Sequence, residues 1–200
     1  MTRVMIYKRF ERFWHWCQVL LIFTLLFTGF EIHGTYSVLG FAEAVRFHSL
    51  AAWGLVVLWL FVVFWLCTTG EWRQYVPTRK GLFAVLHYYL IGTFTGAAHP
   101  YRKTSRAKHN PLQRLAYLSF KLVIVPVIWV SGLLYLFYRD WPVTLAESLA
   151  LETVAMVHTA AAFGVLVFII AHVYMATMGP TLTSLIKPMI TGYEDLDEED

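Results

Sequence analysis

Four long stretches of this chain carry no charged side chain: Phe13 to Phe30, Phe47 to Gly70, Leu122 to Tyr138 and Thr153 to Ile186. A helix crosses a bilayer with about 20 mostly apolar residues, range about 17 to 25, so each stretch is long enough to span. The whole chain agrees with that reading. Charged residues are 14% of its 200 positions, against roughly 25% in an ordinary soluble domain. The expected fold class is all-α: an integral membrane four-helix bundle, one domain over 1–200, with spans near 13–31, 47–69, 115–138 and 153–178.

Arg3, Lys8, Arg9 and Arg12 precede the first span as they would in a signal peptide. No small-residue cleavage site follows, and His15 and Gln18 interrupt the apolar run, so a retained helix is expected. Cys17 and Cys67 form no CxxC or CxxCH pattern, which argues against a disulfide framework and against covalent heme attachment. Both are expected to be packing residues.

Short flanks rich in Lys and Arg stay on the cytoplasmic side. The N-terminus carries four such residues, and the segment between the second and third spans carries Arg73, Arg79, Lys80, Arg102, Lys103, Arg106, Lys108 and Arg114. The other two loops hold only Arg46 and Arg139 beside several acids, among them Glu31, Glu43 and Asp140. Both termini are therefore expected in the cytoplasm. Gly81 to Tyr101 is also uncharged, but crossing there would put Arg102, Lys103, Arg106 and Lys108 outside. An interfacial or re-entrant helix near 80–98 is expected instead, resting Leu82, Phe83, Leu86, Leu90 and Phe94 on the membrane. The acidic tail, 191–200, reads as solvated and disordered from Glu194 onward.

Ionisable side chains inside a bilayer are costly, so a histidine in a span is a functional candidate by default. His15, His48, His158 and His172 meet that description. The alternating topology puts His48 and His158 near the outer face and His15 and His172 near the inner face. The last span carries two of them 14 residues apart, about 21 Å at ~1.5 Å per residue and nearly on one face. A second signal is a shared pattern, His-[Ser/Thr]-x-Ala-Ala-aromatic-Gly, at His48–Gly54 and His158–Gly164. Small residues near an axial histidine leave room for a flat porphyrin, although they also favour ordinary helix contacts. Imidazole is a common iron ligand whose second nitrogen needs a partner. Two hemes with both axial positions filled leave electron transfer as the chemistry. His33, His87, His99 and His109 lie in loops or the interfacial segment and are expected to be solvated.

Several local sequences carry a resemblance: Arg12-Phe13-Trp14-His15-Trp16, Arg46-Phe47-His48, Asn110-Pro111-Leu112-Gln113-Arg114-Leu115-Ala116-Tyr117, and His158 with His172. Together they resemble the bacterial four-helix di-heme cytochrome b subunits of formate dehydrogenases, nickel-iron hydrogenases and thiosulfate reductases, over nearly the whole chain. The resemblance implies two hemes b held by the pairs His48/His158 and His15/His172. It also implies a menaquinone or ubiquinone site beside the inner heme, involving Asn110 and His172. Asn110 followed by Pro111 also reads as a helix cap, and the two roles are compatible. Gln113 is a weaker quinone candidate, and Arg12 and Arg46 are candidates for heme propionates that could equally reach headgroups.

The expected function is a two-heme relay between an outer-face redox subunit, iron-sulfur or multiheme, and the quinone pool, in either direction. The expected partners are that subunit, quinone and membrane lipids, with no nucleic acid. The basic insert from Gly70 to His109 could dock a partner, bind lipid or cover the quinone pocket. The rival class is a heme-free transporter or anchor whose histidines handle protons or metal. An intramembrane metal hydrolase is disfavoured, because the spans hold no HExxH and no carboxylate near the four histidines.

Overall fold

The computed structural model describes residues 2–101, 108–179 and 181–196. Four long apolar helices dominate it: α1 (Arg9–Ile32), α2 (Phe41–Thr69), α4 (Pro111–Leu136) and α6 (Leu151–Thr177). The shorter helices are α3 (Leu82–Thr95), α5 (Val143–Ser148) and α7 (Lys187–Thr191). The all-α membrane class holds, with one addition. The strands β1 (Thr2–Met5) and β2 (Tyr193–Leu196) pair antiparallel, Thr2 opposite Leu196 and Met5 opposite Tyr193. The expected disordered tail is corrected accordingly: residues 193–196 have backbone partners in β1, while 197–200 lie outside the described residues. Arg102, Lys103 and Arg106 of the expected basic cluster also lie outside them.

The chain divides into two compact units. The first holds residues 2–74, Lys108 and residues 181–196. Its α1 starts where the Glu11 carboxylate accepts the Lys8 N–H at 2.7 Å, satisfying one of the donors that a helix start leaves open. At the other end Glu31, 5% exposed, folds the connection to α2. One oxygen of its carboxylate accepts three successive N–H groups, from Val38 (2.7 Å), Leu39 (2.6 Å) and Gly40 (2.8 Å), a nest of backbone donors around an anion. The sequence presented Glu31 as one of several loop acids; tertiary structure makes it the organiser of that loop. On α1, Arg12 donates to the Ile190 carbonyl and Trp16 Nε1 donates to Met189 O at 2.9 Å. One helical face thereby fastens the C-terminal segment.

A charge cluster closes the same unit. The Lys108 ammonium lies 3.0 and 3.1 Å from the Glu11 carboxylate oxygens and 3.0 Å from Glu71, and Lys8 lies 2.7 Å from Glu71. Lys108 is only 4% exposed. Burial alone would raise the Glu71 carboxyl, but the hydrogen bonds and charges of Lys8 and Lys108 outweigh it and hold the group below its ordinary value.

The second unit holds residues 75–101 and 109–179. α4 begins with a reciprocal cap: Gln113 N–H donates to Asn110 Oδ1 at 2.8 Å, and Asn110 N–H donates to Gln113 Oε1 at 3.0 Å. Pro111 occupies the first helical position, where a missing N–H costs nothing. Pro126, deeper in the helix, would collide with the carbonyl four residues earlier. The chain answers with a π-turn at Phe120–Ile124 immediately before it, a widening that absorbs the proline without ending the helix.

α3 is shorter than the roughly 17-residue minimum for a span. Val85 and Tyr89 are buried in a cluster with Met175, and Tyr174 Oη donates to Tyr89 O at 3.0 Å. Phe83, Leu90 and Phe94 face outward, each more than 60% exposed. The helix thus lies against the end of α6 in its own unit and offers an apolar outer face, as a membrane-surface helix does. The long helices expose Phe23, Leu60, Phe64, Leu122, Val167 and Ile170 in the same way. In water such a surface would be anomalous; in a bilayer the lipid chains cover it.

Candidate functional site

In the first unit, Thr28 on α1 faces His48 on α2, with the hydroxyl oxygen 2.9 Å from Nδ1. The Thr28 hydroxyl donates its own hydrogen to Thr24 O at 2.7 Å, so toward His48 it can only accept. His48 Nδ1 therefore carries the proton, and Nε2 keeps a lone pair. The second unit repeats this arrangement. Ser131 Oγ donates to Val127 O at 2.6 Å and lies 3.1 Å from His158 Nδ1, which is also 3.1 Å from the Ile128 carbonyl. Both neighbours accept, so His158 is likewise protonated at Nδ1.

The likeness continues residue by residue. Each hydroxyl is followed by a glycine that faces the imidazole: a Cβ on Gly29 would lie 3.6 Å from His48 Cε1, and one on Gly132 would lie 3.0 Å from His158 Cε1. Leu21, seven residues before Thr28, faces Gly54, and Ile124, seven before Ser131, faces Gly164. A Cβ on Gly54 or Gly164 would meet those side chains at 3.3 and 3.0 Å. These two glycines serve close helix contact inside each unit, so the expected room for a porphyrin is not what they provide. The shared pattern at His48 and His158 is one half of a helix-pair repeat whose other half is the hydroxyl-glycine dipeptide of the preceding span.

His15 and His172 have different surroundings. His172 stacks on Phe168 with planes 8° apart and lies 3.5 Å from Tyr117 Oη through Nδ1, the outer limit of a hydrogen bond. His15 meets Trp16 edge-on at 5.2 Å between centroids. Applying the repeat offsets to His15 and His172 lands on Leu118 and Val62, so the repeat does not generate these two histidines.

Neutral imidazoles fixed at Nδ1 on apolar helices are a donor set suited to heme iron. Residues 6–192 match the family described as prokaryotic cytochrome b561. The chain belongs to that family. Among its relatives is a protein of Escherichia coli (strain K12) provisionally named cytochrome YdhU, 30% identical over 209 aligned positions that cover 96% of this chain and 74% of the relative. This cytochrome is accordingly a multi-pass membrane protein that carries heme b and transfers electrons.

The other residues singled out from sequence fall as follows in the cytochrome. Asn110 is 4% exposed; besides capping α4 it donates from Nδ2 to Tyr89 Oη at 3.3 Å. Gln113 closes that cap. Arg12 donates to the Ile190 carbonyl, and Arg46 is an exposed residue 3.5 Å from Glu43. His99 and His109 are half-buried rather than solvated, His99 4.6 Å from the Tyr88 ring and His109 5.2 Å from both Tyr75 and Tyr117. Thr28, Ser131 and Tyr117 were not among the sequence candidates. Their signal is the spacing of Thr28-Gly29 and Ser131-Gly132 within the first and third spans, visible only once each pair is set against the following histidine.

Proposed function

We propose that the chain is the di-heme b membrane subunit of a respiratory oxidoreductase complex, moving electrons between an outer-face redox subunit and quinone near the cytoplasmic face of a bacterial inner membrane. The observation that carries it is the matched pair of imidazoles, His48 and His158, each set against a hydroxyl at Nδ1, the tautomer in which Nε2 is the ligating nitrogen. His48 and His158 hold the outer heme; His15 and His172 hold the inner one. Heme bound there would supply a one-electron ferric–ferrous couple, which makes electron transfer the chemistry.

The chain's own residues do the rest. Thr28 and Ser131 fix the tautomer and the ring orientation of the outer ligands and raise their basicity. His158 and His172, 14 residues apart on α6, set two levels about 21 Å apart. Asn110 Nδ2 has two hydrogens and commits one to Tyr89, so the other remains for the carbonyl of a menaquinone or ubiquinone. Among the described residues no three His, Cys, Asp or Glu side chains gather into a metal-ion cage. Histidines set singly suit an iron already ringed by porphyrin nitrogens better than they suit a free ion.

The test is a reduced-minus-oxidised spectrum with a pyridine hemochrome count on the purified full chain. Two noncovalent, low-spin b hemes per polypeptide are expected; a colourless protein made with ample heme would overturn the reading in favour of a proton or metal transporter. The glycines give a finer check. Gly132→Ala is expected to crowd His158, since its new Cβ stands 3.0 Å from the ring, while Gly29→Ala at 3.6 Å is ordinary contact. Quantitative hemochrome should show loss of outer heme in the first variant and little in the second.

A further inference from the structure

Lys121 lies ten residues inside α4, in the π-turn that precedes Pro126. A lysine side chain in a helix leans toward the helix N-terminus, which brings its ammonium back toward the level of Tyr117. It ends over a ring: Nζ is 3.6 Å from the centroid of Tyr75. Tyr75 packs 6.3 Å from Tyr117, and Tyr117 packs 6.0 Å from His172. The cation is therefore part of the same aromatic cluster as the inner ligand. Among the described residues, no carboxylate, hydroxyl or carbonyl accepts from this ammonium.

A cation–π contact alone offsets only part of what it costs to strip water from a charge. A charged lysine kept inside a span calls for a compensating anion, and among the described residues none lies at this ammonium. The anion must reach the cluster that holds His172, and it must suit an ammonium acting as a point charge.

We propose that Lys121 is the ion-pair partner of a carboxylate of the heme bound by His172, a role for which the sequence had suggested only Arg12 and Arg46. This rests on the di-heme reading above. Neutralising that carboxylate favours the ferrous state, so Lys121 raises the reduction potential of the inner heme relative to an uncompensated one and makes it the better electron acceptor.

Lys121→Met and Lys121→Arg in the full chain test it by potentiometric titration, the inner component being the one absent in His172→Ala. Lys121→Met is expected to shift the inner reduction equilibrium about tenfold toward ferric, 59 mV for one electron, with a smaller change at the outer heme. Lys121→Arg should restore most of it. The decisive comparison loads wild type and Lys121→Met with heme whose carboxylates are methyl esters: the difference between the two proteins should then vanish. An undiminished difference with the ester heme, or no difference with ordinary heme, overturns the proposal in favour of a quinol anion or lipid phosphate as the partner. Failure of the wild-type chain to hold two hemes overturns the underlying reading instead, so the two failures are distinct.

Discussion

Replacing His48 or His158 with alanine is expected to leave one noncovalent heme per chain, and replacing His15 or His172 is expected to leave the other one. The effect should be all-or-none for the affected heme. An axial imidazole is a covalent-strength ligand to iron, and losing it in hydrocarbon leaves no water to replace it. His48 is set in place by Thr28, 2.9 Å from its Nδ1, and faces Gly29, where an added Cβ would lie 3.6 Å from the ring. Quantitative hemochrome and the split of the reduced band measure the outcome. His48→Ala and His158→Ala should give the same surviving spectrum, as His15→Ala and His172→Ala should. Retention of both hemes in any one variant, or matching spectra from His48→Ala and His15→Ala, would break the pairing.

The largest effect on stability is expected at Lys108. Its ammonium, 4% exposed, bridges Glu11 and Glu71. Among the described residues, Lys108→Met takes from Glu11 the ammonium that pairs with it and leaves Glu71 with Lys8. Breaking a buried ion pair by removing one partner costs about 3 to 5 kcal/mol, because a charge stays buried unpaired. Thermal unfolding in detergent should show the loss. Lys108→Met combined with Glu11→Gln should recover part of it, since the stranded charge goes too.

The same cluster sets a pH dependence. Glu71 titrates below its ordinary value when folded, so its contribution is complete above the unfolded value of about 4.3 and is lost as pH falls through the folded one. Wild type should lose stability in that acid window. Lys108→Met should lose less there, having surrendered part of the interaction at every pH.

Much of this protein was readable along the chain because a bilayer imposes one-dimensional rules. Length and lack of charge determined four spanning helices, as a run such as Phe47 to Gly70 has no other stable place. The cost of an imidazole in hydrocarbon picked out His15, His48, His158 and His172, and the cap at Asn110-Pro111 was legible because its hydrogen bonds close within four residues. What the sequence could not rank were side chains whose meaning depends on a neighbour far along the chain. Thr28 and Ser131 look like ordinary small polar residues until the next helix brings an imidazole within 3.1 Å or less. Gly54 and Gly164 favoured helix packing on residue type alone but also fitted a cofactor pocket, and it is the fold that sets Leu21 and Ile124 against them. Glu31 and Lys108 read as loop charges, yet folding buries both against partners that charge counting does not see. Residue type and spacing determined which groups the membrane would charge for; only tertiary structure decided what each group touches, because hydrogen bonds and ion pairs act over about 3 Å in space and at any separation in sequence.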